Sequence, residues 1–286
     1  MSTYKSTGSL KSFIDAGKVK TRVLGSVERH VLSKPLNDSR RTNVLHPSDM
    51  VDSAWCHRAS YFHILGESPV KRDFSFRILS VFEEGHAIHN KWQTWFKEMG
   101  VLYGLWYSDT DNIYEWGLSS EMEEGTSVFD YKEVPLHYPE LHIAGHSDGL
   151  LVGLGDPLML EIKSIGAGTL RWEIPELFAE NNGDFEKTWK KIDSPFIKHV
   201  NQVQIYMKLA ELLKLEYVPQ EAVLLYESKA SQEVKEFVVS KSDFGIADLF
   251  KSAEMIAESV KAKTPPPCNI SSVGCKRCKG YTNDTN

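Results

Sequence analysis

Apolar residues recur at three- and four-residue steps in three stretches of the chain, which is the spacing of one buried face of a helix. The longest stretch runs from about Phe74 to Met99 and ends before Gly100, and the others cover 196–215 and 244–260. We therefore expect a helix in each stretch. The predicted buried face of the longest helix comprises Ile78, Val81, Phe82, Ile88, Trp92, Trp95 and Phe96.

Short, continuous apolar runs predict the strands of a sheet. Two of them, Leu141 to Val152 and Leu158 to Ile165, flank a turn at 153–157 that contains Gly and Pro, and so predict a hairpin. Two more runs, Ala222–Tyr226 and Glu233–Val239, predict further strands. Strands interspersed with helices predict an α/β fold.

Two regions have weaker patterns. Ser48 or Asp49 is a suitable N-cap for a helix that runs through Cys56 towards Leu65. Residues 166–195 mix Gly, Asn, Trp and Lys, which predicts a helical or loop insertion.

The composition is typical of a folded chain. Of the 286 residues, 41% are hydrophobic and 11% aromatic, which excludes a mainly disordered protein. No apolar run approaches the roughly 20 residues that a membrane span needs, and the Ser- and Thr-rich N-terminus lacks the apolar core of a secretory signal. We expect a cytoplasmic protein with a basic, loosely ordered arm at 1–45, a single domain at 46–280 and a tail at 281–286.

The charge is distributed unevenly. The net charge of −6 argues against a protein coated uniformly with positive charge for nucleic acid. Residues 1–50 nevertheless hold nine Lys and Arg against four Asp and Glu, and 261–280 hold basic residues and no acid. These basic ends indicate either a local phosphate-binding track or solvated faces.

The predicted hairpin brings charged residues together. A turn centred near Leu154 and Gly155 places Asp148 opposite Glu161, and Lys163 shares a strand face with Glu161. Two carboxylates beside an amine suit a hard cation such as Mg²⁺ together with phosphate oxygens. The alternative is an ordinary ion pair on a surface strand. The apolar run before Glu161 favours the functional interpretation, because buried charge is costly unless it is paired or metal-bound.

Two helices carry further candidates. An interior glycine costs a helix roughly 1 kcal/mol relative to alanine, so we expect a close neighbour at Gly85. His89 lies one turn later on the same face and is a candidate nitrogen ligand. Gln202 and Tyr206 share a face and suit phosphate or sugar contacts. The alternatives are a structural histidine, and capping or core hydrogen bonds.

The four cysteines are placed unevenly. Cys56 stands alone, whereas Cys268, Cys275 and Cys278 lie close together near the C-terminus. Structural disulfides are rare in a reducing compartment, and thiolates are the soft ligands of zinc and of iron–sulfur clusters. The cysteines therefore predict a metal or iron–sulfur centre.

In chain order, these motifs resemble the RecB-like branch of the PD-(D/E)XK nucleases. That branch reads G-x-x-x-H, then D, then E-x-K, then Q-x-x-x-Y, and the resemblance covers roughly residues 46–280. One early cysteine with three late ones is similar to its iron–sulfur subset, which includes CRISPR-associated RecB-like exonucleases, related phage exonucleases and the AddB nuclease domain. The matching positions are Gly85, His89, Asp148, Glu161, Lys163, Gln202 and Tyr206.

The resemblance implies a restriction-endonuclease-like fold, with a mixed central sheet flanked by helices. It implies that Asp148, Glu161 and Lys163 are catalytic, with Lys163 assisting the attacking water, and that Gln202 and Tyr206 hold the nucleic acid. The implied ligands of Mg²⁺ or Mn²⁺ are His89, Asp148, Glu161 and the backbone carbonyl of Ile162.

The resemblance also implies that a [4Fe-4S] cluster staples the C-terminal segment to an N-terminal helix, which would close a very long loop that is otherwise entropically costly to close. In the family the longer gap usually follows the C-x2-C pair, whereas here it precedes the pair, so zinc or another iron–sulfur type is the alternative. The implied ligands are Cys56, Cys268, Cys275 and Cys278.

The implied function is a metal-dependent DNA exonuclease that acts on single strands or DNA ends, 5′→3′ by analogy, in recombination, repair or genome processing. The alternatives are an endonuclease on the same fold, a non-catalytic DNA-binding adaptor that keeps the cluster, and a zinc-stapled protein unrelated to nucleases. The expected partners are DNA, a single-strand annealing or other recombination protein and further copies of the chain, without a membrane. The expected location is the cytoplasm, or the host cytoplasm if the protein is viral.

Overall fold

The computed structural model describes residues 23–34, 41–67, 74–122, 128–270 and 275–278. The predicted tail at 281–286 lies outside these residues. Within them, no helix is long and apolar enough to cross a membrane.

The chain divides into two compact units, which are Met1–Ser39 with Asp73–Val81, and Arg40–Arg72 with Phe82–Asn286. In the smaller unit, Leu24–Ser33 forms helix α1 within the predicted N-terminal arm. The candidate site residues all belong to the larger unit.

The larger unit contains a seven-stranded mixed sheet and a separate two-stranded sheet. The strands are β1 Leu102–Ser108, β2 Ile113–Leu118, β3 Phe129–Tyr131, β4 Val134–Tyr138, β5 Ile143–Ser147, β6 Gly149–Leu151, β7 Leu158–Ile165, β8 Glu221–Ser228 and β9 Val234–Ser240. The large sheet has the order β2-β1-β6-β7-β8-β9, with β3 also paired to β1, while β4 pairs with β5. Strands β7 and β8 are parallel and the other neighbours are antiparallel. The predicted mixed central sheet is confirmed.

Helices flank this sheet. The remaining helices are α2 Pro47–Met50, α3 His57–Ile64, α4 Phe76–Glu98, α5 Ser119–Met122, α6 Ala167–Glu173, α7 Pro175–Glu180, α8 Phe185–Lys191, α9 Ile197–Leu212 and α10 Ala247–Ala262, with a 3-10 turn at Pro139–Leu141. The predicted long helices correspond to α4, α9 and α10, and the insertion at 166–195 is helical.

Strand β7 is buried on both faces, which explains its nearly continuous apolar sequence. Leu160 and Ile162 pack in one core with Ile88 of α4. Met159 and Ile165 belong to the other core, which includes Val203 and further residues of α9. Because Glu161 and Lys163 alternate with Leu160 and Ile162, they share the α9 side of the sheet.

The prediction of a single strand from Leu141 to Val152 is wrong, because the strand breaks at Asp148 and its two halves join different sheets. At the break the Ser147 hydroxyl, which has a single proton to donate, lies 3.0 Å from the carbonyl oxygens of both Gly149 and Leu160. The break frees the Asp148 side chain for contacts outside the ladder.

The predicted helix from 48 to 65 is also interrupted. Residues 51–54 form turns between α2 and α3, and Asp52 Oδ1 accepts a hydrogen bond of 2.7 Å from the Ala54 backbone. Cys56 is therefore the N-cap of α3, where its Sγ accepts a hydrogen bond from the Ala59 backbone, rather than an interior residue of a longer helix.

The predicted buried stripe of α4 is shorter than the sequence pattern indicates. Ile88 is buried, and Trp92 and Phe96 pack against the same core. The other members of the predicted stripe are exposed, namely Ile78, Val81, Phe82 and Trp95. Gly85 does face a neighbour as expected, but a methyl group would lie 3.5 Å from Ser164 Oγ, which is an ordinary contact.

Candidate active site

Asp148 lies at the break between β5 and β6, and its two carboxylate oxygens contact different elements. Oδ2 accepts a hydrogen bond of 2.5 Å from the Ile162 backbone of β7. Oδ1 lies 2.9 Å from Nδ1 of His89 on α4. Asp148 is only 6% exposed. One buried carboxylate therefore connects strand β7 to helix α4.

The hairpin has the register that the turn at 153–157 predicts as far as Gly149. Gly149 pairs with Leu160 in the antiparallel ladder of β6 and β7. Asp148 lies one residue beyond this ladder, and its Oδ2 contacts the Ile162 backbone. The predicted pairing of Asp148 with Glu161 is therefore not part of the ladder.

Glu161, Lys163 and Gln202 form one hydrogen-bonded group. Lys163 Nζ donates to Glu161 Oε1 at 2.5 Å and to Gln202 Oε1 at 3.2 Å. The amide nitrogen of Gln202 donates to Glu161 Oε1 at 2.8 Å and lies 2.8 Å from Tyr206 Oη. Strand β7 and helix α9 therefore hold the Glu161 carboxylate from two directions.

Gln202 and Tyr206 are 5% and 4% exposed, respectively. Their polar groups contact Glu161, Lys163 and one another. In this arrangement their side chains offer little surface to a nucleic acid, and they are placed to orient Glu161.

The site concentrates acidic groups that disfavour one another's charge. Burial raises the pKa of Glu161. The positive charge of Lys163 lowers this pKa, and the negative charge of Asp148 raises it. Burial alone would lower the pKa of His89, but its hydrogen bond and charge interaction with Asp148 raise it. A divalent cation would neutralise this excess of negative charge, so the donor set fits a hard metal ion.

The structure adds Glu133, which no sequence motif identifies. One potential ligand atom from each of His89, Glu133 and Asp148 lies within 4.8 Å of the other two. Burial raises the pKa of Glu133, and the charge of Asp148 raises it further. Glu161 is not in this three-residue group among the described residues, although it lies on the adjoining strand. Glu133 reaches the site through the pairing of β3 with β1 and of β4 with β5, a long-range arrangement that local sequence patterns do not show.

The four cysteines also come together. Their sulfurs all lie within 4.8 Å of one another, and none forms a disulfide. The Sγ atoms of Cys56 and Cys268 are 3.9 Å apart, and those of Cys275 and Cys278 are 3.6 Å apart. Burial raises the pKa of the Cys56 thiol, and the neighbouring thiols raise it further. A bound metal cation would instead favour the thiolates, so the donor set fits a thiolate-ligated centre.

The sulfur separations bear on which centre fits best. Four thiolates around one zinc ion, with bonds of about 2.3 Å, lie about 3.8 Å apart at the corners of a tetrahedron. Two of the six separations, 3.6 and 3.9 Å, are close to that spacing, and the others are below 4.8 Å. A [4Fe-4S] cluster would need the sulfurs to spread, because each thiolate binds a different iron.

No protein-family model matches the sequence, and no curated protein matches it either. The crystal structure of LHK-Exo in complex with dAMP is similar to this chain, with 12% sequence identity and a TM-score of 0.45. The match covers 78% of this chain and 90% of the LHK-Exo chain. The alkaline exonuclease LHK-Exo from Laribacter hongkongensis gives 13% identity, the same coverages and a TM-score of 0.44. The structure of SSO0001 gives 14% identity over 90% of this chain and 87% of that chain, with a TM-score of 0.35.

Proposed function

We propose that this chain is a divalent-metal-dependent deoxyribonuclease that hydrolyses phosphodiester bonds. The observation that carries the proposal is the convergence of His89, Asp148, Glu161 and Lys163 from a helix, a strand break and a buried strand. Buried carboxylates beside an imidazole and an amine are costly for folding alone, and they suit a metal ion and a phosphate group.

In this proposal His89, Asp148, Glu161 and the backbone carbonyl of Ile162 bind Mg²⁺ or Mn²⁺. The ion, when bound, polarises the phosphodiester and makes a water molecule more acidic. Lys163 holds positive charge next to Glu161, where it orients the water and stabilises negative charge on the phosphate.

Gln202 acts as a positioning residue. Its amide nitrogen donates to Glu161, and its amide oxygen accepts from Lys163. Tyr206 supports Gln202 through their hydrogen bond. This assignment differs from direct contact with nucleic acid, because both side chains are almost fully buried.

We propose exonuclease action on single strands or DNA ends as the specific activity, and 5′→3′ as its direction. This part of the proposal rests on the resemblance of the ordered motifs to RecB-like exonucleases. An endonuclease would use the same buried group of charged residues, so digestion of DNA without ends distinguishes the two activities.

We further propose that the four cysteines hold a metal centre that fastens the C-terminal segment to α3. The resemblance supports a [4Fe-4S] cluster, and the sulfur separations support zinc as the alternative. Measurement of the iron and zinc content of freshly purified protein distinguishes the two kinds of centre.

Substitution of the two charged residues of β7 tests the catalytic proposal. Glu161→Gln and Lys163→Met should each lower the rate of digestion of labelled single-stranded DNA by at least about a hundredfold, the usual effect of removing a group that stabilises developing charge. Matched controls are Glu236→Gln, an exposed residue on β9, and Lys251→Met, an exposed residue on α10.

The controls should digest DNA within about twofold of the wild-type rate. Circular dichroism and thermal unfolding should show that all four variants are folded. If a folded Glu161→Gln or Lys163→Met variant digested DNA at the wild-type rate, the substituted residue would not be part of the active site.

A further inference from the structure

Glu133 occupies the junction between β3 and β4, close to Asp148 and His89. Each of these three residues offers a potential ligand atom within 4.8 Å of the other two. Ligands of one octahedral Mg²⁺ ion, at about 2.1 Å from the metal, lie about 3.0–4.2 Å apart. Small side-chain movements would therefore bring the three atoms onto a common ion.

The backbone holds Glu133 firmly in this position. Its carbonyl accepts a hydrogen bond of 2.9 Å from the Leu105 backbone, and the Lys132 backbone donates one of 2.7 Å to Leu105. Glu133 has a φ of 63°, a left-handed conformation that is uncommon for a residue with a side chain. A Cβ at Gly104 would lie 2.8 Å from the Glu133 carbonyl oxygen, so glycine permits this close approach.

Two side chains hold the Asp148 backbone near Glu133. Gln93 Nε2 on α4 donates a hydrogen bond of 3.1 Å to the Asp148 backbone carbonyl. Tyr131 Oη on β3 donates to that same carbonyl at 3.1 Å. Helix α4 and strand β3, which ends two residues before Glu133, therefore fix the position of Asp148.

We propose that Glu133 is a side-chain ligand of the catalytic divalent cation, together with His89 and Asp148. This inference rests on the proposed function, since it adds a ligand to the proposed metal site. In this arrangement Asp148 uses Oδ1 on the side of His89 and Glu133, while its Oδ2 remains bonded to the Ile162 backbone next to Glu161. The cation would be held by groups from the long helix, the junction of β3 with β4, and strand β7.

A purely structural Glu133 would serve only to shape the junction of β3 with β4, through its backbone contact with Leu105. Metal affinity distinguishes the two roles, because Glu133→Gln keeps the size and polarity of the side chain but removes its charge. Asp130→Asn is the matched control, since Asp130 is an exposed residue of the neighbouring strand and the substitution causes the same change in net charge.

The test measures Mn²⁺ binding to the full chain by titration calorimetry, without DNA. Glu133→Gln should weaken Mn²⁺ binding at least tenfold, as expected for the loss of a charged ligand, while Asp130→Asn should stay within twofold of the wild type. Equal affinity of Glu133→Gln and the wild type would overturn the assignment. If Glu133→Gln does not fold, Glu133→Asp replaces it, and its shorter carboxylate should weaken binding at least threefold, with wild-type affinity again overturning the assignment.

The failure of this inference and the failure of the proposed function give different results. A wild-type protein that binds no Mn²⁺ would overturn both. A wild-type protein that binds Mn²⁺ and digests DNA, with Glu133→Gln equal to it in affinity, would overturn only the role of Glu133.

Discussion

At the scale of single residues, the site depends on side chains that are buried yet polar. Asp148, Glu161 and Gln202 are each at most 6% exposed, and each uses its polar atoms in hydrogen bonds across elements. Burial strengthens these interactions and also makes every lost partner costly. The positions of the charged groups are therefore fixed before any ligand binds.

His199 shows the same effect of burial on a residue outside the proposed metal site. Its Nδ1 lies 2.6 Å from Tyr226 Oη, and burial lowers its pKa to about 2. An unfolded histidine titrates near pH 6.5. Below that pH the unfolded chain therefore gains a proton that the folded chain does not, so stability is complete above about pH 6.5 and falls as the pH decreases.

This difference predicts a pH-dependent loss of stability. Between pH 7.5 and 5.5 the contribution of His199 to the free energy of unfolding should fall by about 1.4 kcal/mol. Chemical denaturation at both pH values measures it. Between these pH values the free energy of unfolding of His199→Gln should fall by about 1.4 kcal/mol less than that of the wild type. For His137→Gln, at an exposed position, it should fall by as much as for the wild type. An unchanged pH dependence in His199→Gln would contradict a neutral, buried imidazole.

At the scale of elements, α3 and the C-terminal segment are joined by several contacts besides the cysteines. Helices α3 and α10 pack together. Asn269 accepts a hydrogen bond of 2.9 Å from the His57 backbone and donates one of 2.9 Å to the Trp55 carbonyl. Arg277 forms an ion pair of 3.0 Å with Asp52. These contacts bring the four sulfurs together from sequence positions more than 200 residues apart.

A centre ligated by these sulfurs should stabilise the whole chain. Cys56 and Cys268 are 212 positions apart, and a covalent link across so long a loop is worth about 5 kcal/mol as an upper figure from chain entropy. Cys278→Ser should lower the free energy of unfolding by about 2–5 kcal/mol, as for the loss of a native crosslink. Denaturation of metal-loaded and metal-stripped protein measures this effect.

The metal-stripped wild type is the control for this prediction, since it should be about as unstable as the loaded Cys278→Ser variant. Equal stability of the loaded wild type and Cys278→Ser would argue against a stapling centre. The same preparation identifies the centre, because an iron–sulfur protein is brown with broad absorbance near ~400 nm, whereas a zinc protein is colourless.

The elements differ in how well the sequence predicts them. The hairpin of β6 and β7 is predictable because its turn residues are local, and the turn fixes which residues pair. The break at Asp148 is not predictable, because it depends on a hydrogen bond to the Ile162 backbone of another strand. Glu133 is missed for a related reason, since its position depends on strand pairings that local periodicity does not encode.

The helices show the same distinction. Three- and four-residue spacing identifies α4 but overestimates its buried face, because Phe82 and Trp95 fit the apolar pattern and yet are exposed. Periodicity shows which residues share a face of a helix. It does not show how much of that face another element covers.

At the scale of the whole molecule, the sheet has a core on each face and carries the site on strand β7, which both cores bury. Strand β7 lies between the core that includes α4 and the core that includes α9. Those two helices supply His89 and Gln202, on either side of the strand that supplies Glu161 and Lys163. The packing that stabilises the fold therefore also positions the proposed catalytic groups.

The most direct test of the central claim is a time course on end-labelled linear DNA and covalently closed circular DNA, with Mg²⁺ or Mn²⁺ and with a chelator. We expect the protein to digest linear DNA only when the cation is present and to leave closed circles intact. The position of the label that is released first gives the direction of digestion. Cleavage of closed circles would contradict exonuclease action, and a folded, cation-loaded protein that cleaves neither substrate would contradict the proposed nuclease.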